Sequence, residues 1–380
     1  MTPEHRALVA LSMLYEPGNA LVGDDVARFG PADALHRLVS GASDAGLAAA
    51  ARQRLGDRDP DELVRSVLPA AEACGARPVT PLDPEWPARV ADLAGLYDES
   101  DPHTRPPLCL WVRGEGHLAE LTDRSVAVVG ARVCTEYGRH VATEFGYGLT
   151  RQGWTVVSGG AYGIDAAAHT GALAAGGGTV CVLAGGVDRE YPARLLPLFD
   201  RIRRNGLLVS EWPPGATPRR FRFLVRNRVI AAMPRGTVVV EAGLRSGARH
   251  TARLAAELDR PVMVVPGPVN SRASAGVHQL ARGHHPVRIV TRAADVVEDL
   301  GGCDTALAPA PAREQRPRDR LGEVAARVLD SVPRSAPATV ERIAAQAGVS
   351  AAAAQRVLPA LVAAGLARCE EGRYRLPERI

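Results

Sequence analysis

The sequence predicts an α/β fold, with a doubly wound parallel sheet over residues 76–300, a small helical domain before it and a winged-helix-sized segment after it. Short, continuously apolar runs such as Ser125–Val129, Val180–Leu183 and Val262–Val265 alternate with stretches of helical periodicity. Strands apolar at every position need cover on both faces, which helices on the two sides of a parallel sheet provide. Length agrees, because 380 residues exceed one average domain and suit two or three.

Residues 1–75 read as helical, of a SAM or helix-hairpin-helix type. Apolar positions recur at helical spacing in His5–Leu14, Ala32–Leu38 and Asp61–Ala71, with breaks at Pro17-Gly18 and Gly30-Pro31. Such a bundle suits either clamping of a DNA backbone or a structural role. Residues 76–120, rich in Pro and Asp and holding Trp86 and Trp111, read as a connector ending in a strand, Leu108–Arg113. Seven strands follow: Ser125–Val129, Trp154–Val157, Val180–Leu183, Gly206–Ser210, Thr237–Val240, Val262–Val265 and Val287–Val290. Helices are expected from about Glu136, Asp165, Pro192 and Asn227, then over Thr251–Leu258, Gly276–Arg282 and Ala293–Leu300. Residues 301–320, all Pro, Ala and charge without period, read as a linker. Residues 321–380 suit a winged helix: helices Leu321–Leu329, Thr339–Ala347 and Ala353–Ala364, then a hairpin wing in Leu366–Leu376. Pro359 is expected to bend or shorten the third helix.

Composition narrows the chemistry. Apolar residues make up 46%, charged residues 23% and aromatics only 4%, so Ala, Val and Leu must build the cores. The net charge of +4 is compatible with a nucleic-acid partner without arguing for one. There is no lysine, and all 46 basic residues are arginine. That excludes a Schiff-base lysine and a Walker-type phosphate loop. The six cysteines show no metal-ligand spacing, so no metal or cofactor is expected and a reducing compartment fits. Without a signal peptide or an apolar stretch near 20 residues, a cytoplasmic protein with no membrane contact is expected.

Ligands on parallel sheets bind outside the carboxyl ends of the strands. That directs attention to the loops beginning at Gly130, Ser158, Ala184, Glu211 and Glu241. In the first, Gly130 lets backbone approach an anion and Arg132 offers a charged fork. The second, Ser158-Gly159-Gly160-Ala161-Tyr162-Gly163, places N–H donors at a helix start. Asp165 and His169 lie one turn apart there, an acid–base arrangement on one reading; the favoured one makes Asp165 a helix cap and His169 a packed or surface ring. The strongest signal is Pro213–Arg228, where Arg219, Arg220, Arg222, Arg226 and Arg228 interleave with Phe221 and Phe223 and no acid intervenes. Phosphate forks alternating with stacking rings suit single-stranded nucleic acid, and Phe223 suits a core position equally. Residues 201–260 hold thirteen arginines against four acids, a net of +9, which predicts a local basic face. Past the next strand, Ser246 and Gly247 add donors, and Glu241 is read as an ion-pair pin for the arginine-rich loop, with a catalytic acid as the other option.

In this order the loops resemble the DNA-processing protein A family (DprA, also called Smf). The matching segments are Val129–Arg132, Ser158–Asp165 with Ala168–Leu173, Gly185–Pro192, Phe223–Ile230, Val239–Gly247 with Thr251-Ala252, and Val265–Gly267. The resemblance implies an extended Rossmann-like fold, a homodimer, and binding and protection of single-stranded DNA. It also implies loading of RecA recombinase onto that strand during recombination and natural transformation, with no catalysis. By motif position it implies that Arg132, the Ser158–Gly163 loop, Arg226, Asn227 and Arg228 line the DNA groove, that Phe223 stacks a base, and that Arg220 and Arg222 add charge. Ala131, Gly160 and Leu224 depart from the family pattern without removing a charge.

The competing expectation is a Rossmann-like enzyme of the nucleoside-monophosphate phosphoribohydrolase type, but Glu241–Gly247 lacks that group's PGGxGTxxE signature. A sensor-type transcription regulator is a third. Over Ala351–Ala364 the third helix of the last segment has Arg356 as its sole charge. That favours protein docking over base reading there.

Overall fold

The computed structural model describes residues 1–96, 101–283, 285–301 and 321–377. They fall into two compact units that divide within residues 302–320; the predicted linker therefore lies outside the described residues, apart from Gly301.

The larger unit is built on a nine-stranded sheet. Its strands are β1 (Ala76–Val79), β2 (Leu110–Gly114), β3 (Ser125–Val129), β4 (Thr155–Gly159), β5 (Thr179–Val182), β6 (Leu207–Ser210), β7 (Thr237–Val239), β8 (Val262–Val264) and β9 (Val287–Ile289). The spatial order is β1-β2-β6-β5-β4-β3-β7-β8-β9. β3 to β9 pair in parallel throughout, while β1 and β2 add an antiparallel margin beside β6.

The apolar runs serve two cores because successive strand residues point to opposite faces. Ala127 and Val129 face one core, shared with the helices Arg222–Ala232 and Gly247–Glu257. Val126 and Val128 face the other, with the helices Glu136–Arg151 and Ile164–Ala174. Close packing is helped by small residues where these last two helices meet, including Gly146 and Gly171.

The first 75 residues form five helices: Pro3–Leu14, Ala20–Phe29, Pro31–Ser40, Ala45–Leu55 and Pro60–Ala73. Each except Pro31–Ser40 starts at a side-chain cap, and Asp59 with Glu62 closes a capping box. The helices Ala20–Phe29 and Ala45–Leu55 escaped the periodicity reading, although Asn19 and Asp44 cap them. Val9, Val64 and Val67 pack with Trp111, Cys181 and Phe199, so these helices share a core with the sheet in one compact unit. β1 was also unpredicted; its Pro78 is tolerated because β1 is an edge strand paired only with β2.

The smaller unit has helices Glu323–Asp330, Val340–Ala347 and Ala351–Ala363, then a hairpin of β10 (Arg368–Glu370) and β11 (Arg373–Arg375). Tyr374 also pairs back to Ala338 through two backbone bonds of 2.8 and 2.9 Å. The third helix runs on through Pro359, for a length of 13 residues.

Candidate nucleic-acid interface

The parallel strands leave β3 in one direction through β4, β5 and β6, then resume on its other side with β7. At such a switch point the loops after the two central strands diverge and leave a crevice. Here that crevice is a cleft of about 950 Å³ at the carboxyl ends of β3 and β7. Arg132, Arg220, Arg245 and Arg272 line it with exposed side chains, and the buried Arg226 lies at its floor. Among the described residues lining it, Asp165 is the one acid, and it is buried.

Arg132 is held out by a tied loop. The Ala131 N–H donates to the Glu241 carbonyl at 2.7 Å, and the Ala131 carbonyl accepts from Ile164 N–H at 3.2 Å. Gly163 has φ +81°, and a Cβ there would collide with the carbonyls of Ala131 and Arg132, so only glycine lets the two loops close on each other. The Glu241 carboxylate accepts from the Thr135 N–H at 2.9 Å and the Thr135 hydroxyl at 2.6 Å. It therefore secures the entry to helix Glu136–Arg151 and does not pin the arginine-rich loop, contrary to the expectation from sequence.

The pins are other acids. Glu16 accepts from Arg222 at 2.7 Å and from the Trp212 indole N–H at 2.9 Å. Burial pushes the Glu16 carboxyl up, but its bonds to Arg222 and Trp212 and the charges of Arg222 and Arg54 hold it below the usual range. The Arg222 guanidinium also donates to the Thr217 carbonyl and lies over the Trp212 ring, so it is a strut beneath the loop and does not line the cleft. Arg228 is 2% exposed and pairs with Glu211 at 2.5 Å. It too is absent from the cleft lining, which corrects its placement in the groove. Arg226 donates to the Val182 carbonyl and borders the cleft only from below. Burial lowers its pKa, and the nearby Asp165 carboxylate opposes that.

The Ser158-Gly159-Gly160 run is not an anion nest, because all three residues are buried. Ser158 donates to the Val128 carbonyl at 2.6 Å, and the Gly159 carbonyl lies 3.2 Å from His169 Nε2. A Cβ on Gly160 would press on Leu183 and Phe199. Only Ala161 of this turn reaches the cleft wall. His169 is buried, with Nδ1 2.8 Å from the Thr179 hydroxyl. Burial drives its pKa down to about 4. It is thus a packed neutral ring. Burial likewise raises Asp165 to about 6, against the pull of Arg226 and the Ser158 hydroxyl.

Of the remaining expected residues, Gly130, Arg220, Phe223, Asn227, Ser246 and Gly247 all line the cleft. Asn227 Nδ2 lies 3.4 Å from the Gly247 carbonyl, and Ser246 caps helix Gly247–Glu257. The predicted basic face is thinner than its +9, because four of the thirteen arginines (203, 222, 235 and 260) pair with acids outside residues 201–260. Sequence reasoning missed Arg245 and Arg272. Arg245 sat in a loop already singled out, and Arg272 in the loop after β8, which the same carboxyl-end rule would have added.

A family model described as DNA recombination-mediator protein A matches residues 77–301. A Mycobacterium tuberculosis chain named for DNA processing protein DprA is 43% identical over 98% of this chain and 95% of its own. The DNA processing protein DprA of Streptococcus pneumoniae is 37% identical, over 55% of this chain and 70% of its own. An X-ray structure of DNA processing protein A from Streptococcus pneumoniae superposes with a TM-score of 0.60 at 30% identity, covering 79% of this chain and 98% of that one.

Proposed function

Because this chain belongs to the DNA recombination-mediator protein A family, we propose that it holds single-stranded DNA in the arginine-lined cleft and protects it. On this reading the chain works as a homodimer, hands the strand to RecA recombinase and makes or breaks no covalent bond. The observation that carries the reading is the pairing of four exposed arginines with exposed rings in one cleft, where the single acid is buried. Phosphates take the arginine forks and unpaired bases meet the rings.

Binding without catalysis is supported by how the candidate acid–base groups are used. Glu241 is spent on Thr135, and His169 is packed in the core. The smaller unit is read as a winged-helix docking module. Its helix Ala351–Ala363 exposes mainly Ala, with Gln355 and Arg356 its exposed polar side chains, too few for base reading. No helix among the described residues is long and apolar enough to cross a membrane.

Fluorescence anisotropy with labelled oligothymidine tests the reading, across a salt series and with same-length duplex and AMP as competitors. Salt-dependent binding that duplex and AMP displace poorly is the expected result. An unbound strand with AMP bound or hydrolysed would replace this reading with the nucleotide-enzyme one.

A further inference from the structure

Helix Leu196–Asn205 joins β5 to β6, which are parallel neighbours. It must therefore start beside the carboxyl ends of the strands and run back down the flank of the sheet. Tyr191 lines the cleft, and the turn Ala193–Leu195 leads from there straight into the helix. Phe199 and Ile202 are its buried side. Arg201 and Arg204 lie one turn apart on its outer side, Arg194 stands on the turn before it, and all three are exposed.

Charge on this flank is sorted by depth. Glu190 pairs with Arg113 at 3.1 Å and with Arg203 at 3.5 Å, and Asp200 also pairs with Arg203. Asp188 accepts from the Gly215 N–H at 2.7 Å. The acids of residues 186–206 are thus engaged, two of them by half-buried arginines, while Arg194, Arg201 and Arg204 form no ion pair among the described residues. The one ring after Tyr191 on this stretch, Phe199, is buried.

We propose that a single strand longer than the cleft continues over helix Leu196–Asn205, with Arg194, Arg201 and Arg204 as successive phosphate contacts. This rests on the single-strand reading of the cleft and adds to it the path by which the strand leaves. From Arg194 to Arg204 the chain rises about 15 Å at about 1.5 Å per residue, the length of about four stacked nucleotides at about 3.4 Å each. Guanidinium forks suit phosphate oxygens, and without an exposed ring the grip is on the backbone alone. The bases on this stretch are therefore left open.

The test uses the full chain and two labelled oligothymidines, a short one of about 5 nucleotides and a long one of about 25, chosen to fall at and beyond ordinary single-strand site sizes. The parent's salt slope should be steeper on the long strand. Each phosphate contact on a single strand contributes about 0.7 to that slope. The triple variant Arg194→Gln, Arg201→Gln, Arg204→Gln should therefore lose about 2 from its slope on the long strand and bind it at least about tenfold more weakly at low salt. Its binding of the short strand and its melting temperature should stay parental. The same neutralisation of Arg52, Arg65 and Arg151, exposed on other helices, should leave both strands bound as by the parent. Parental binding of the long strand by the first variant, an equal loss on both strands, or an equal loss in the second variant overturns the path and leaves the cleft reading standing. A parent chain that binds neither strand ends both.

Discussion

Arg228 carries its charge inside the protein, 2% exposed and opposite an equally buried Glu211. Removing one partner of a buried pair leaves the other charge uncompensated, which typically costs about 3–5 kcal/mol. Arg228→Ala should therefore lower stability by that order in urea denaturation. Its oligothymidine salt slope should stay parental, and a flattened slope would return Arg228 to the groove. Arg228→Leu combined with Glu211→Met should recover most of the loss, since no charge remains buried. Two other buried groups give opposite pH effects. His169 titrates at about 4 in the fold against 6.5 unfolded, so its contribution is complete above pH 6.5 and is lost as pH falls toward 4. Asp165 titrates at about 6 against 3.8, so its contribution is complete below pH 3.8 and is lost as pH rises through 6. Between pH 4 and 6 they offset each other, each changing stability by at most about 1.4 kcal/mol per pH unit. His169→Asn removes the His169 slope, so the melting temperature of the variant relative to the parent should shift downward as pH rises from 4 to 6. A difference between variant and parent that does not change with pH across that window would show the sign to be wrong.

One helix and the loop before it decide how the cleft is dressed. Helix Arg222–Ala232 buries most of its length, and its arginines reach acids on the turn after the first helix, beside β6 and on helix Ile164–Ala174. Glu16 therefore ties the N-terminal helices to the loop that presents Arg220 and Phe221. Glu16→Gln keeps the shape of the side chain but removes the charge-assisted bonds to Arg222. Faster amide hydrogen exchange over residues 213–222 is the expected outcome, with oligothymidine affinity several-fold weaker at an unchanged salt slope; unaltered exchange would mean that Glu16 is no tether. The order of strands and helices was legible because a period is a local property: Ser125–Val129 reads the same alone as in the sheet. The caps Asn19 and Asp44 are equally legible, and so is the apolar stripe of helix Ala20–Phe29, whereas the alanine-rich helix Ala45–Leu55 has little apolar period. The fate of Arg222 was not legible, because its acid partner lies 206 residues away in sequence.

The whole molecule divides into two units with separate cores, the smaller built on Val328, Ile343, Leu358 and Leu361. A chain ending at residue 301 should therefore keep the parental melting transition of the larger unit in calorimetry, whereas a change of more than a few degrees would show that the cores are coupled. The sequence by itself determined the parallel α/β architecture, the strands whose loops form the cleft and the family resemblance, because strand alternation, helix periodicity and glycine turns are written in neighbouring residues. It also located Gly130, Arg132, Arg220 and Asn227 where the cleft would form. Only the tertiary structure decided which arginines meet solvent. Arg222 and Arg228 are neutralised from afar, Arg245 and Arg272 converge on the cleft from two different strands, and Phe223 is covered by Arg132. Charge pairing and burial depend on distance through space, and a run of arginines in the chain does not carry that information.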